Sequence, residues 1–157
     1  MKLYLMRHGE AEGIYEGEEP GLSAIGEAEV NRIGAALSSM DIQLDHIYKS
    51  GKLRARQTAE IVKSKLGIDI LISKKEGLKP NDPVLAFAGN LKDIKKNIMI
   101  VGHLPFMAKL TSCLLAETES DLMIAFRTAS VACLEYASSF GWNLHWFINP
   151  ENFVSDK

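Results

Sequence analysis

The sequence predicts an α/β fold: a three-layer α/β/α sandwich with a mostly parallel central sheet and a C-terminal antiparallel hairpin. Three observations lead there. Short apolar runs alternate with stretches of helical period over the first two thirds of the chain, the pattern of parallel strands joined by helices. Two of those runs end in a histidine, at Arg7-His8-Gly9 and at Gly102-His103, and open α/β sheets gather their chemistry at strand ends. The last third instead reads strand, turn, strand.

Taken in order, Lys2-Leu3-Tyr4-Leu5-Met6 is a strand, and Gly9 to Gly21, rich in glycine and glutamate without periodicity, is a loop. Ser23 is a candidate N-cap for a helix over 24–40, with Ile25, Ala28, Val30, Ile33, Ala36, Leu37 and Met40 as its apolar stripe. His46 to Ser50 is β-prone. After Gly51 the stripe Leu53, Ala55, Thr58, Ala59, Ile61, Val62 and Leu66 gives a second helix ending at Gly67. Residues 68–72 read as a weak strand, Gly77 to Pro83 as a loop, 83–92 as a helix, and Lys92 to Lys96 as a candidate short helix. Ile98 to Val101 is the cleanest buried strand, and Pro105 opens a helix through Leu115. Ser130 to Tyr136 and Trp142 to Ile148 flank a Ser138-Ser139-Phe140-Gly141 turn as a hairpin. No linker, repeat or low-complexity segment interrupts the pattern, so 1–157 is expected to be a single domain without a large cap insertion.

With 157 residues, 46% of them hydrophobic and 24% charged, the composition is that of a globular chain. Its 18 basic and 20 acidic residues give a formal net charge of -2, without the basic excess that nucleic-acid or anionic-membrane binding favours. There is no signal-peptide pattern and no membrane-spanning run. Cys113 and Cys133 sit among apolar neighbours outside any paired-ligand spacing, which fits small packing residues in a reducing cytoplasm. A monomer is the default expectation for so compact a chain.

Parallel packing would bring three features to one sheet edge: Arg7-His8-Gly9, the Ser50 turn that opens a helix bearing Arg54, and Gly102-His103. Arg54 lies in the first turn of its helix, where the helix dipole disfavours a cation unless an anion is bound there. Two arginines and two histidines suit a phosphoryl group, because their donors meet several of its oxygens at once. One imidazole then attacks phosphorus, the other donors neutralise the equatorial oxygens, and water cleaves the phosphohistidine. Imidazole, with a reference pKa of about 6.5, keeps a neutral nucleophilic fraction at cell pH. Neither a metal nor any other cofactor is required if the guanidinium groups supply the charge.

Met6-Arg7-His8-Gly9-Glu10 resembles the signature of the histidine phosphatase superfamily, also called the phosphoglycerate mutase-like superfamily, and later segments match in order. Leu22-Ser23-Ala24-Ile25-Gly26 is similar to its Leu-Thr-x-x-Gly helix start, Ser50 to Ala59 to its second-arginine segment, and Val101-Gly102-His103 to its second histidine. The resemblance implies a phosphoglycerate mutase-like fold, with His8 as the nucleophile that becomes phosphorylated and Arg7, Arg54 and His103 as phosphate-binding groups. Arg56 competes with Arg54 for its place. Arg54 is preferred because it holds the family's position, with Gln57-Thr58 three and four residues later, and because Arg56 points to another helix face.

Departures from the family pattern narrow the expectation. The asparagine that mutases and many small-molecule phosphatases of the superfamily carry after the tripeptide is missing. Where relatives have Leu-x-Glu with an acid glutamate, this chain reads Leu78-Lys79-Pro80, and the nearest carboxylates that could donate a proton are Glu76 and Asp82. Leu104 follows the second histidine where the phytase and acid phosphatase branch has aspartate. His103-Leu104-Pro105, the short length and the absent cap are similar to the SixA-type phosphohistidine phosphatases. That resemblance implies a cytoplasmic, metal-independent hydrolase whose substrate is a phosphohistidine-bearing protein, such as a phosphotransfer domain or phosphocarrier. A small-molecule phosphomonoesterase of the same superfamily and a non-catalytic phospho-ligand binding module are the alternatives.

Other residues have plainer readings. His46 and His145 lack partners at motif spacing. Glu10 and Glu12 could assist proton transfer, although the run Glu10, Glu12, Glu16, Glu18 and Glu19 reads better as a solvated acidic face. Lys92, Lys95 and Lys96 solubilise a helix end, and Phe140, Trp142 and Trp146 are packing residues of the hairpin.

Overall fold

The computed structural model describes residues 1–14 and 16–154; Tyr15, within the expected 9–21 loop, and residues 155–157 lie outside it. The elements run β1 (Lys2–Arg7), α1 (Ala24–Ser39), β2 (His46–Lys49), α2 (Leu53–Leu66), β3 (Leu71–Lys74), α3 (Val84–Leu91), β4 (Ile98–Gly102), α4 (Phe106–Ala116), β5 (Val131–Ala137) and β6 (Gly141–Ile148), followed by a 3-10 turn at Pro150–Phe153. They form one six-stranded sheet in the order β3-β2-β4-β1-β5-β6. β3, β2, β4 and β1 are parallel, while β5 is antiparallel to β1 and forms the expected hairpin with β6.

Strand alternation builds the three layers. Leu3 and Leu5 of β1 and Ile98 and Ile100 of β4 face one core, with Phe87 and Leu91 of α3 and Phe106 and Leu110 of α4. Tyr4, Met6, Met99 and Val101 face the other, with Val30, Ile33 and Leu37 of α1 and Ala59 and Val62 of α2. A continuous apolar run thus supplies both cores, as a strand covered on both faces must. β1 and β4 are neighbours, yet the helix after β1 packs on one face and the helix after β4 on the other. This leaves a crevice at their C-terminal ends, and the pairing Arg7↔Gly102 puts His8 and His103 at its edge.

The loop after β1 is held against α1 by two glycines. A Cβ on Gly26 would stand 2.0 Å from the Glu10 carbonyl oxygen, and one on Gly9 would stand 2.6 Å from Val30 Cγ2. Ser23 caps α1 as expected, its hydroxyl accepting from Gly26 N at 3.0 Å. At the other end of the following strand-helix unit, Gly67 closes α2 in the left-handed conformation at φ 64°.

Several local expectations are corrected. The strand expected at 68–72 forms instead at Leu71–Lys74, because Ile68 and Ile70 pack against a core as loop residues before the chain reaches the sheet edge. Lys92 to Lys96 is a turn rather than a short helix: only Ile94 packs against a core there, and Asp45 ties down Asn97 through both backbone and side chain. Ile25 and Ala28, counted in the apolar stripe of α1, are exposed, because the helical turn carries them off the face on which Gly26, Val30, Ile33 and Leu37 are buried. Trp142 and Trp146 pack against Tyr136 and Tyr4, but Phe140 at the hairpin tip is 81% exposed. Among the described residues, no helix is long and apolar enough to cross a membrane.

Gly26 and Gly89 separate close approach from mere helix propensity. Gly26→Ala is expected to lower unfolding free energy by about 1–3 kcal/mol, the cost of forcing atoms into a packed site. Gly89→Ala, in α3 with nothing within 4 Å of the added Cβ, is expected to raise it by about 0.4–1 kcal/mol. Urea denaturation of the two variants checks this, and equal effects would refute the close approach.

Candidate active site

His8 leaves the end of β1, its backbone N–H donating to the Gly102 carbonyl at 3.0 Å and its carbonyl accepting from Ala129 N at 3.1 Å. The imidazole is nearly buried. Its Nδ1 lies 2.6 Å from the Gly9 carbonyl oxygen, and since a carbonyl can only accept, Nδ1 carries the hydrogen. The lone pair is therefore on Nε2, and Arg54 Nε donates toward that atom at 3.4 Å. Burial, opposed by the Gly9 hydrogen bond and helped by the charges of Arg54 and Arg7, pushes the His8 pKa down to about 4.

Arg7 turns its guanidinium toward the loop between α4 and β5, donating Nη1 to the Phe126 carbonyl at 2.9 Å. Its Nε is buried without a hydrogen-bond partner among the described residues. Burial lowers its pKa from the usual guanidinium value. Arg54 comes from the first turn of α2. Arg56, its competitor in the sequence, is exposed and lies 3.8 Å from Glu60 along its own helix, so Arg54 alone of the two meets His8.

His103 follows β4, its ring centroid 4.9 Å from that of His8. Its Nε2 lies 2.5 Å from Ser50 Oγ, while its Nδ1 is buried without a partner among the described residues. Burial first, then the neighbouring His8, Arg54, Lys52 and Arg7, lowers its pKa to about 3. Ser50 is itself buried and also accepts from Lys52 N at 3.3 Å. The sequence marks Ser50 only as a turn, and the signal for its role is its position just after β2, beside β4.

Thr58 and Gln57 brace the site from α2. Thr58 Oγ1 accepts from Gly9 N at 3.1 Å and donates to the Arg54 carbonyl at 2.7 Å. Gln57 Oε1 accepts from Leu22 N at 2.7 Å. One helical turn thus positions Arg54 and the loop that carries His8.

The carboxylates fall elsewhere. Glu76 lines a cavity of about 570 Å³ shared with Ser50 and His103, but it lies 2.7 Å from Lys74, whose hydrogen bond and charge hold its pKa below the usual carboxylate value. Asp82 accepts from Lys79 N at 2.8 Å and is not among the residues lining that cavity. The acidic run is not merely a solvated face. Glu10 accepts from the Ser23 hydroxyl at 3.2 Å, and Glu19 lines the cavity and caps α2 by accepting from Leu53 N at 2.9 Å. Glu12, Glu16 and Glu18 are exposed. His46 contacts Ser73 and Tyr48, and His145 is exposed on β6; neither meets His8. Among the described residues, no group of three or more His, Cys, Asp or Glu side chains could hold a metal ion.

The sequence model for the histidine phosphatase superfamily (branch 1) matches residues 3–79. A 2,3-bisphosphoglycerate-dependent phosphoglycerate mutase of Rhizobium johnstonii is 33% identical over 86 residues, which cover 51% of this chain and 41% of the mutase. The match thus spans about two fifths of that relative's length. The structure of the protein histidine phosphatase SixA in complex with tungstate shares the fold at a TM-score of 0.86 and 23% identity, over 98% of this chain and 100% of that one. A candidate phosphohistidine phosphatase SixA from Agrobacterium tumefaciens aligns at a TM-score of 0.79 and 26% identity, over 95% and 97% of the two chains. A candidate alpha-ribazole-5'-P phosphatase from Escherichia coli reaches the same TM-score at 18% identity, over 96% and 98%. The motif segments thus lie in order along a phosphoglycerate mutase-like sheet, and the chain matches the histidine phosphatase superfamily over residues 3–79.

Proposed function

We propose that this protein is a phosphohistidine phosphatase that hydrolyses phosphohistidine on another protein through a covalent phospho-His8 intermediate. The observation that carries the reading is the state of His8: its Nδ1–H is tied to the Gly9 carbonyl and its Nε2 lone pair is met by Arg54 Nε, with the His103 ring centroid 4.9 Å from its own. The His8 Nε2–phosphorus bond forms as the phosphorus–nitrogen bond of the substrate breaks, and the substrate ring, protonated on its other nitrogen, departs with the electron pair as neutral imidazole. Water then attacks phospho-His8; the phosphorus–Nε2 electron pair returns to His8, which is again neutral with its hydrogen on Nδ1, and both protons of the water leave with the phosphate. Arg54, Arg7 Nε and His103 Nδ1 hold the phosphoryl oxygens. The last two are the unpartnered buried donors of the site, and each costs about 1–3 kcal/mol until satisfied. A relative with this fold has been solved with tungstate, a tetrahedral oxyanion of the size this arrangement suits.

The leaving group separates the two enzyme readings. An ester expels an alkoxide that needs a proton, whereas imidazole leaves readily. Among the described residues no carboxylate hydrogen-bonds to either histidine, and Glu76 is held ionised by Lys74. This supports phosphohistidine over phosphate esters, and an uncapped crevice admits a protein surface.

Ser50 acts as a positioning residue. Because Lys52 N donates to Ser50 Oγ, the hydroxyl hydrogen is free to point at His103 Nε2, which keeps the ring hydrogen on Nδ1, toward the phosphoryl group.

Three outcomes are expected. Wild-type protein releases phosphate from a phosphohistidine carrier protein with kcat/KM at least about a hundredfold above that for a panel of phosphate esters, the gap that an unassisted alkoxide leaving group implies, and His8→Ala abolishes release. Equal slow release by wild type and His8→Ala would mean a binding module, and preference for esters would mean a small-molecule phosphatase. Ser50→Ala lowers kcat/KM about tenfold, one hydrogen bond worth about 1.4 kcal/mol, with Ser50→Thr restoring it; an equal loss in both variants refutes the tautomer role. In NMR titrations the His8 and His103 ring signals hold steady from pH 8 to about 5 and move only toward pH 4 and below. Because both folded pKa values lie under the unfolded value of about 6.5, the unfolded chain takes up protons first. These two groups therefore remove stability as pH falls from about 6.5 to about 3, and a His8 midpoint near 6.5 would contradict the burial argument.

A further inference from the structure

Five lysines gather on one side of the crevice. Lys52, Lys74, Lys75 and Lys79 line the same cavity as His103, and Lys49 pairs directly with Lys74 across β2 and β3. Like charges side by side on neighbouring strands destabilise a sheet, and this chain carries a formal net charge of -2, so the cluster runs against both local stability and global composition. Resting on the function proposed above, we propose that these lysines form a cationic shelf that docks an acidic surface surrounding the phosphohistidine of the partner protein.

Carboxylates neutralise the shelf only in part. Glu76 pairs with Lys74, Glu19 is engaged with Leu53 N, and Asp82 meets only the backbone of Lys79. Lys75 lies 5.0 Å from the Tyr48 ring centroid and 5.8 Å from that of Phe87, which fixes its ammonium at the rim. Lys52 and Lys79 are exposed and form no ion pair among the described residues.

The type and burial of the cations indicate what they bind. Arg7 and Arg54, half-buried with planar donor forks, suit one small phosphoryl group held in a fixed geometry. The shelf is made of flexible, solvated point charges. Each exposed pair is worth little alone, so a single second anion on a small substrate would gain little from them. Several together generate a field over a screening length of about 8 Å at physiological salt, which steers and orients a large surface of opposite charge.

The test uses a histidine phosphotransfer domain phosphorylated with phosphoramidate, in one form with glutamates flanking its phosphohistidine and in another with glutamines at the same positions. Phosphoramidate itself is the small substrate, and its His8-dependent hydrolysis tests the underlying chemistry separately. The wild-type protein is expected to favour the glutamate form by about tenfold in kcat/KM at low salt, with the preference shrinking toward unity at 0.5 M salt. The Lys74→Gln, Lys79→Gln double variant is expected to lose most of that preference, and Lys79→Glu to reverse it. If both forms are cleaved equally by the wild-type protein, or the preference survives in the variants, the shelf does not dock acidic surfaces. If the variants lose as much activity on phosphoramidate as on the glutamate form, the lysines serve the phosphoryl pocket itself and the proposal falls. If phosphoramidate is hydrolysed equally by wild type and His8→Ala, the underlying function falls instead.

Discussion

The Gly9 peptide group is the constraint on which the site depends. Its carbonyl fixes the His8 tautomer, its N–H is held by Thr58 on α2, and its Cα is pressed against Val30 and Gly26 of α1. Any side chain at this position would separate the loop from α1, and any shift of the loop would release His8 from the geometry that exposes Nε2. Thr58 transmits the same requirement to Arg54, whose carbonyl it engages one turn earlier. His8 and the Arg54 guanidinium are therefore held as a unit, although they lie 46 residues apart.

In the proposed function, cations of two kinds divide the work of recognising an anion. Arg7 and Arg54 sit in the desolvated crevice, where a charge costs much to bury and gains much on meeting a phosphoryl dianion. The same burial keeps His8 and His103 neutral, and in the proposed reaction the one then attacks while the other donates a single N–H without repelling its neighbour. The lysines remain solvated at the rim, where they act at longer range. A site with positive charge at both depths suits an anion carried on a larger anionic body.

Much of the fold was legible because its signals are local. The apolar runs at 2–6 and 98–101, the Ser23 cap and the Gly67 stop each follow from backbone hydrogen-bonding needs and strand or helix periodicity, and the elements observed there lie within a residue or so of those expected. Where the reading missed, an apolar residue was counted without its direction: Ile25 and Ala28 stand off the buried face of α1, Phe140 lies at the hairpin tip, and Ile68 and Ile70 pack as loop residues before β3 begins.

By itself the sequence determined the α/β class, the strand and helix order, and the family motifs that single out Arg7, His8, Arg54 and His103. Only the tertiary structure decided their surroundings: that Ser50 contacts His103, that Glu10 accepts from the Ser23 hydroxyl and Glu19 from Leu53 N, and that lysines from the turn before α2, from β3 and from the loop after it share one cavity with the second histidine. The reason is physical. Periodicity and capping act over a few residues, whereas hydrogen bonds and fields at the crevice join strand ends that only sheet order and parallel register bring together.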